Sequence, residues 1–186
     1  MSSRERLLEL LRTLSYRRGK VVLASGKESD FFIDCKQTVL TAEGHALVGE
    51  AMLEALRDAS GKPVVDAVGG VELGGCPLAS AVALTSHLKG TPLDAVYVRK
   101  EVKDHGSKRP YEGGTRLAPG ARLALLEDVI TTGGSTLKAL DKLREAGFKV
   151  DRVVVLVDRL EGGREALEKA GLEVRAIYTR NDVMGE

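Results

Sequence analysis

Glu127 and Asp128 are the residues at which chemistry is easiest to place. They stand in Leu125-Leu126-Glu127-Asp128-Val129-Ile130-Thr131-Thr132-Gly133-Gly134-Ser135, an apolar run that closes on two adjacent carboxylates and opens into a Thr/Gly/Ser stretch. Small residues at such a turn let backbone N–H groups approach an anion, and a following helix N-terminus adds a favourable dipole. The hydroxyls of Thr131, Thr132 and Ser135 can donate to the same anion. Carboxylates at the rim of a phosphate pocket repel the phosphate unless something intervenes. Two readings remove the conflict: the pair hydrogen-bonds ribose hydroxyls, or it acts on Mg2+ carried by the substrate. The structural alternative is a helix-capping loop after an edge strand. The segment is not a Gly-Lys-Ser/Thr nucleotide loop, because no such triplet follows the glycines.

A second polar string, Arg99-Lys100-Glu101-Val102-Lys103-Asp104-His105-Gly106-Ser107-Lys108-Arg109, leads into Gly113-Gly114. A polar connection of this length is more often functional than idle. Its mixed charge argues against a nucleic-acid patch. Lys100, Lys103 and His105 suit a departing polyanion such as pyrophosphate, whose charge they would stabilise. The competing reading is a solvated charged loop. Arg159, after Val157-Asp158, is placed at the same sheet edge and suits a planar carboxylate; by default it is a surface residue. Cys35 and Cys76 have no metal-type spacing and read as small reduced hydrophobes.

These residues need elements to position them. Leucines 7, 8, 10, 11 and 14 predict a helix over 3–17. Val21-Val22-Leu23 and Phe31-Phe32-Ile33 predict two strands joined by a turn over 25–30. A helix capped by Thr41 should run to about residue 59. The pattern then alternates: strands at 64–68, 95–98, 123–126, 153–157 and 174–178, helices at 75–88, 134–146 and 163–170. Apolar strands alternating with helices indicate an α/β fold with a parallel sheet covered on both faces. Residues 1–40 fall outside the alternation, so the expected organisation is a single domain with a hood over about 1–40 and a core over about 41–186. The 186 residues carry a net charge of +1, which offers no field for nucleic acid or a membrane surface. No signal segment or membrane-length apolar run is visible, so the expected compartment is the cytoplasm. One Asn and one Gln in the whole chain hint at a thermophilic source.

The 125–135 segment resembles the motif by which type I phosphoribosyltransferases bind phosphoribosyl pyrophosphate (PRPP). The resemblance implies that Glu127 and Asp128 hold the ribose 2- and 3-hydroxyls, with Val129, Ile130, Thr131, Thr132, Gly133, Gly134 and Ser135 around the 5-phosphate. Arg-Lys-Glu-x-Lys-Asp-His-Gly is similar, nearly residue for residue, to the catalytic loop of orotate phosphoribosyltransferases. It implies Arg99, Lys100, Lys103 and His105 as PRPP or pyrophosphate contacts, with Lys100, Lys103, Asp104 and His105 as the catalytic set. Asp104 would help place a proton on the leaving group. The family's loop reaches the neighbouring subunit's site, implying a homodimer with loop 99–109 acting in trans. Val-Asp-Arg-x-Glu-Gly-Gly looks like the family segment whose arginine faces orotate, here Arg159, with Thr131 as the second orotate contact. Ser25-Gly26-Lys27-Glu28-Ser29-Asp30-Phe31-Phe32-Ile33-Asp34-Cys35-Lys36 resembles the family's hood, whose aromatics, here Phe31 and Phe32, stack on the base or pack beneath it. The implied activity is pentosyl transfer from PRPP to orotate in pyrimidine (UMP) biosynthesis, dependent on Mg2+ held mainly through PRPP. Two departures stand out. Ala24 replaces the lysine that some members carry before Ser-Gly. Glu72, in Gly69-Gly70-Val71-Glu72-Leu73-Gly74-Gly75, occupies a turn where several relatives have lysine; backbone N–H groups, or Mg2+ between phosphate and Glu72, are the alternatives there. A transferase for another base, such as a purine, and a PRPP-sensing regulator of RNA or DNA are the rival readings.

Overall fold

The computed structural model describes residues 1–22, 28–100 and 109–186. Its centre is a six-stranded sheet in the order β5-β4-β3-β6-β7-β8, built from β3 (Ala67–Val71), β4 (Asp94–Val98), β5 (Tyr111–Gly113), β6 (Arg122–Ile130), β7 (Lys149–Asp158) and β8 (Glu173–Thr179). All neighbours run parallel except the β4–β5 pair at one edge. A separate antiparallel hairpin pairs β1 (Tyr16–Val22) with β2 (Glu28–Ile33). The helices are α1 (Ser3–Leu10), α2 (Lys36–Val39), α3 (Ala42–Ala55), α4 (Gly75–Leu88), α5 (Gly134–Glu145), α6 (Gly163–Lys169) and α7 (Arg180–Met184).

The burial follows from the two-residue period of a strand. Along β6, Ala124 and Leu126 enter one core with Leu7, Phe31, Val48, Leu78 and Val82. Leu123 and Leu125 enter a second core with Leu140, Leu143 and Leu167. The first core therefore lies under the hairpin, α1, α3 and α4, and the second under α5 and α6. Both faces being covered, β6 and β7 read as continuous apolar runs, the pattern expected of a buried parallel sheet.

Several boundaries differ from the sequence expectation. The first helix is α-helical only to Leu10, passes through a π turn at Leu11–Ser15, and yields to β1 at Tyr16. Ser15 ends it because its side chain is buried against Thr38 (2.7 Å) and its carbonyl accepts the Asp34 N–H. The strand expected at 64–68 lies at 67–71 instead. Val64 donates to the Leu56 carbonyl, and Asp66 accepts the Arg122 N–H, so these residues form the approach to the strand. The short edge strand β5 and the closing helix α7 were not expected; the helix at 75–88 and the strand–loop–helix of β6 and α5 were.

Candidate active site

β6 carries both acidic residues inside the strand, at its C-terminal end, and the alternation of its side chains sends them to opposite faces. Glu127 continues the Leu123–Leu125 row toward α5, where Thr136 Oγ1 donates to its Oε2 at 2.9 Å. At 6% exposure its carboxyl is pushed up to about 8, first by burial and then by the neighbouring Asp128 charge, with the Thr136 hydrogen bond opposing. Asp128 continues the Leu126 row toward the hood and α4. Its Oδ1 accepts the Val129 N–H (2.9 Å), and the Cys35 thiol of the hood lies 3.8 Å from its carbonyl oxygen. A methyl group on Gly74 would stand 2.2 Å from the Asp128 carboxylate. Only glycine lets the turn before α4 come so close to that side chain.

Past Ile130 the chain enters Thr131–Gly133. Gly133 has a left-handed backbone (φ 78°), and α5 begins at Gly134 with no side-chain cap. Its first N–H groups therefore face the end of β6, where a phosphate would gain both hydrogen bonds and dipole. A cavity of about 260 Å³ joins Lys36, Glu72, Gly74, Lys100, Glu127, Asp128 and Ser135. A larger groove of about 590 Å³ is lined by Arg4, Glu54, Arg164 and Arg175 and contains none of the motif residues. The residues singled out in the sequence meet at the smaller cavity, where carboxylates, lysines and the phosphate-type loop converge.

Arg159 leaves the end of β7 beside the same strand end, its N–H donating to the Ile130 carbonyl at 3.1 Å. The Asp158 carboxylate accepts the Leu160 N–H (2.9 Å), shaping the turn that holds it. Arg159 is buried (7% exposed), and its guanidinium pairs with Glu161 at 2.6 Å and lies 5.6 Å from the centre of the Phe31 ring. Phe31 itself is fully buried and stacks near Tyr16 (5.2 Å). It packs beneath the arginine, whereas Phe32 is partly exposed.

Of the polar string, Arg99, Lys100 and Arg109 are described; Lys103, Asp104 and His105 lie outside the described residues, as does Ser25-Gly26-Lys27. Arg99 donates its N–H to the Pro110 carbonyl (3.0 Å) and pairs with Glu112. Glu72 accepts the Lys100 N–H at 3.0 Å, and Lys142 of α5 donates to the carbonyls of Arg99 and Lys100, both at 2.7 Å. Glu72, where a lysine was the comparison, thus anchors the backbone from which the string departs. Sequence reasoning missed Thr136, Lys142 and Lys36. Thr136 directly follows the motif and was legible as a possible partner of it; nothing in the sequence ties Lys142 to residue 100.

Among the described residues, no group of three or more His, Cys, Asp or Glu side chains could hold a metal by themselves. Asp128 and Glu127 fit a cation that takes most of its ligands from substrate phosphates and water, the usual habit of Mg2+.

Residues 38–176 match the phosphoribosyl transferase domain family. The chain is 67% identical over 181 residues to an orotate phosphoribosyltransferase of Sorangium cellulosum (strain So ce56), covering 97% of this chain and 93% of that protein. It is 46% identical over 185 residues to the orotate phosphoribosyltransferase of Bradyrhizobium sp. (strain ORS 278), covering 98% of each. The crystal structure of Mycobacterium tuberculosis H37Rv orotate phosphoribosyltransferase in complex with PRPP superposes with a TM-score of 0.78 at 34% identity, covering 98% of this chain and 99% of that one.

A carboxyl whose pKa is raised on folding contributes stability that is complete below its ordinary value and lost as pH rises through the folded one. For Glu127 that window runs from 4.5 to about 8. Urea unfolding of the unliganded protein at about pH 5 and about pH 8 should show Glu127→Gln gaining stability relative to wild type at the higher pH. Parallel stabilities at both pH values would contradict the buried, proton-retaining carboxyl.

Proposed function

This chain belongs to the phosphoribosyl transferase family, and we propose that it joins orotate to the ribose 5-phosphate of PRPP, giving orotidine 5-phosphate and pyrophosphate. The carrying observation is the meeting of two strand ends: the acid pair and phosphate-type loop of β6, and Arg159 of β7 beside them over Phe31. The first half suits PRPP and the second a planar anion such as orotate.

In this reading Glu127 and Asp128 hold the ribose 2- and 3-hydroxyls, while Thr131–Ser135 and the α5 N-terminus take the 5-phosphate. The bond from ribose C1 to the pyrophosphate oxygen breaks, the carbon passes through an oxocarbenium-like state, and the orotate ring nitrogen forms the new bond and gives up its proton, which passes to the departing pyrophosphate. No covalent nucleophile is required; burial and nearby carboxylates raise the Cys35 thiol well above its usual range, which keeps it protonated. Positioning and charge stabilisation are the protein's main contributions. Arg99, Lys100, Lys103 and His105 receive the charge that builds on pyrophosphate, and Asp104 helps place its proton. Arg159 binds the orotate carboxylate, Thr131 supplies a second polar contact, and Phe32 offers a partly exposed ring for the base, with Phe31 supporting Arg159 from below. Asp128 and Glu127 would help hold Mg2+ brought in by the substrate phosphates, and the ion would supply neutralisation of phosphate charge.

The same reading gives a single domain, with residues 1–40 as the hood and 41–186 as the core, acting in pyrimidine biosynthesis in the cytoplasm. Two free, buried cysteines fit a reducing compartment. Among the described residues no helix is long and apolar enough to cross a membrane. It also gives a homodimer in which loop 99–109 completes the partner's site. Leu73 and Tyr97 are exposed beside the stem of that loop, and Leu84 and Leu88 are exposed further along α4. An apolar surface of this kind suits burial against a second copy.

Assayed with PRPP and Mg2+, the protein should consume orotate and leave adenine, hypoxanthine and uracil essentially unused. Arg159→Ala should lower kcat/KM for orotate by roughly 10- to 100-fold, the scale of one lost charge-assisted contact. Preference for a purine would overturn the choice of acceptor. Mixing inactive Lys103→Ala and Asp128→Ala proteins should restore part of the activity through hybrid dimers. No recovery after verified subunit exchange would show that each site is built from one chain.

A further inference from the structure

The cavity beside the acid pair presents an electrostatic problem that the motif residues do not solve. Glu72, Glu127 and Asp128 all line it, and the diphosphate of PRPP must enter alongside them. Among the described lining residues the only cations are Lys100 and Lys36. Lys100 approaches from the stem of the polar string, with its backbone N–H committed to Glu72. Lys36 comes from the hood.

Its placement is constrained from both sides. Asp34 is fixed to the preceding turn by its N–H bond to the Ser15 carbonyl (3.0 Å). The Asp34 carboxylate then accepts the Lys36 N–H at 3.2 Å and Gln37 Nε2 at 3.1 Å, and pairs with the Lys36 ammonium at 2.6 Å. The intervening Cys35 is buried against the Asp128 carbonyl. The segment thus crosses the end of β6 and holds Lys36 at the cavity, with its ammonium still partly open to solvent. An oriented, incompletely buried ammonium can exchange water for phosphate oxygen at low cost.

The alternation along β6 decides which end of the substrate it meets. Asp128 belongs to the face shared by the hood and the 72–74 turn, whereas Glu127 and the phosphate-type loop lead to α5 on the other face. Lys36 lies on the Asp128 side. We propose that Lys36 binds the diphosphate end of PRPP, oriented by Asp34, and offsets the carboxylate charge that Glu72 adds to this side of the cavity. The assignment rests on the PRPP-dependent reading above and gives a role to a hood residue that the resemblance left without one.

The test is titration of PRPP, inorganic pyrophosphate and ribose 5-phosphate, each with Mg2+, into wild type, Lys36→Ala and Lys36→Arg. Lys36→Ala should weaken PRPP and pyrophosphate by roughly 10- to 100-fold and leave ribose 5-phosphate within about twofold of wild type, well below the tenfold that one charge-assisted contact carries. Lys36→Arg should retain most of the affinity, and thermal unfolding should show all three proteins folded. Unchanged binding of PRPP and pyrophosphate to Lys36→Ala would overturn the assignment, as would an equal loss for ribose 5-phosphate. Wild type failing to bind PRPP at all would overturn the function reading together with this one, a result distinct from either of those.

Discussion

Two neighbouring carboxylates cannot both be ionised at a largely buried strand end without cost, and the structure depends on how β6 handles that cost. Alternation along the strand separates Glu127 from Asp128 onto opposite faces, so one is buried against α5 and the other opens toward the hood. Burial favours the neutral form of Glu127, while Thr136 steadies the charged form with a hydrogen bond. A substrate that presents hydroxyls to this pair and a cation beside it relieves the repulsion that the unliganded site retains. The carboxylates are costly to the folded chain and useful to the bound one, an arrangement typical of sites whose groups are displaced from their ordinary pKa.

Close backbone approach and a few long-range side-chain bonds hold the rest of the cavity. Gly74 lets the turn before α4 pass beside Asp128, and Gly70 in β3 abuts the carbonyl of Gly75, where a methyl group would stand 2.1 Å away. Glu72 and Lys142 fasten the stem at Arg99 and Lys100 from two elements distant in sequence. The hood enters through Asp34, Cys35 and Lys36 rather than through an aromatic lid alone, since Phe31 is committed to the core beneath Arg159. The site is therefore an intersection of strand ends, where β6, α5, the 72–74 turn, the stem after β4, the end of β7 and the hood meet.

What was legible in the sequence was local. The 125–135 segment declared its strand, loop and helix because each step is written in adjacent residues, and α4 lay where its pattern put it. The strand at 67–71 was displaced from its expected position because Val64 and Val65 look more strand-like than Gly69 and Gly70. Propensity disfavours those glycines, and tight packing against α4 requires at least Gly70. The first helix was drawn too long because leucine spacing continues past Leu10, while the tertiary bonds of Ser15 turn the chain into β1. Lys36 and Lys142 were not legible, since each meets the site through contacts between distant parts of the chain; the opposite directions of the two acids follow from strand alternation alone. Arg159 could be singled out by resemblance, but its seat over Phe31 could not.

The central claim is that the β6 acid pair grips the ribose of PRPP. Calorimetric titration of PRPP with Mg2+ into wild type and Asp128→Asn tests it most directly. The account predicts that the variant stays folded and loses roughly 10- to 100-fold in affinity, the scale of a hydrogen bond to a charged group. Equal affinity in the two proteins would contradict it and move the PRPP site away from the end of β6.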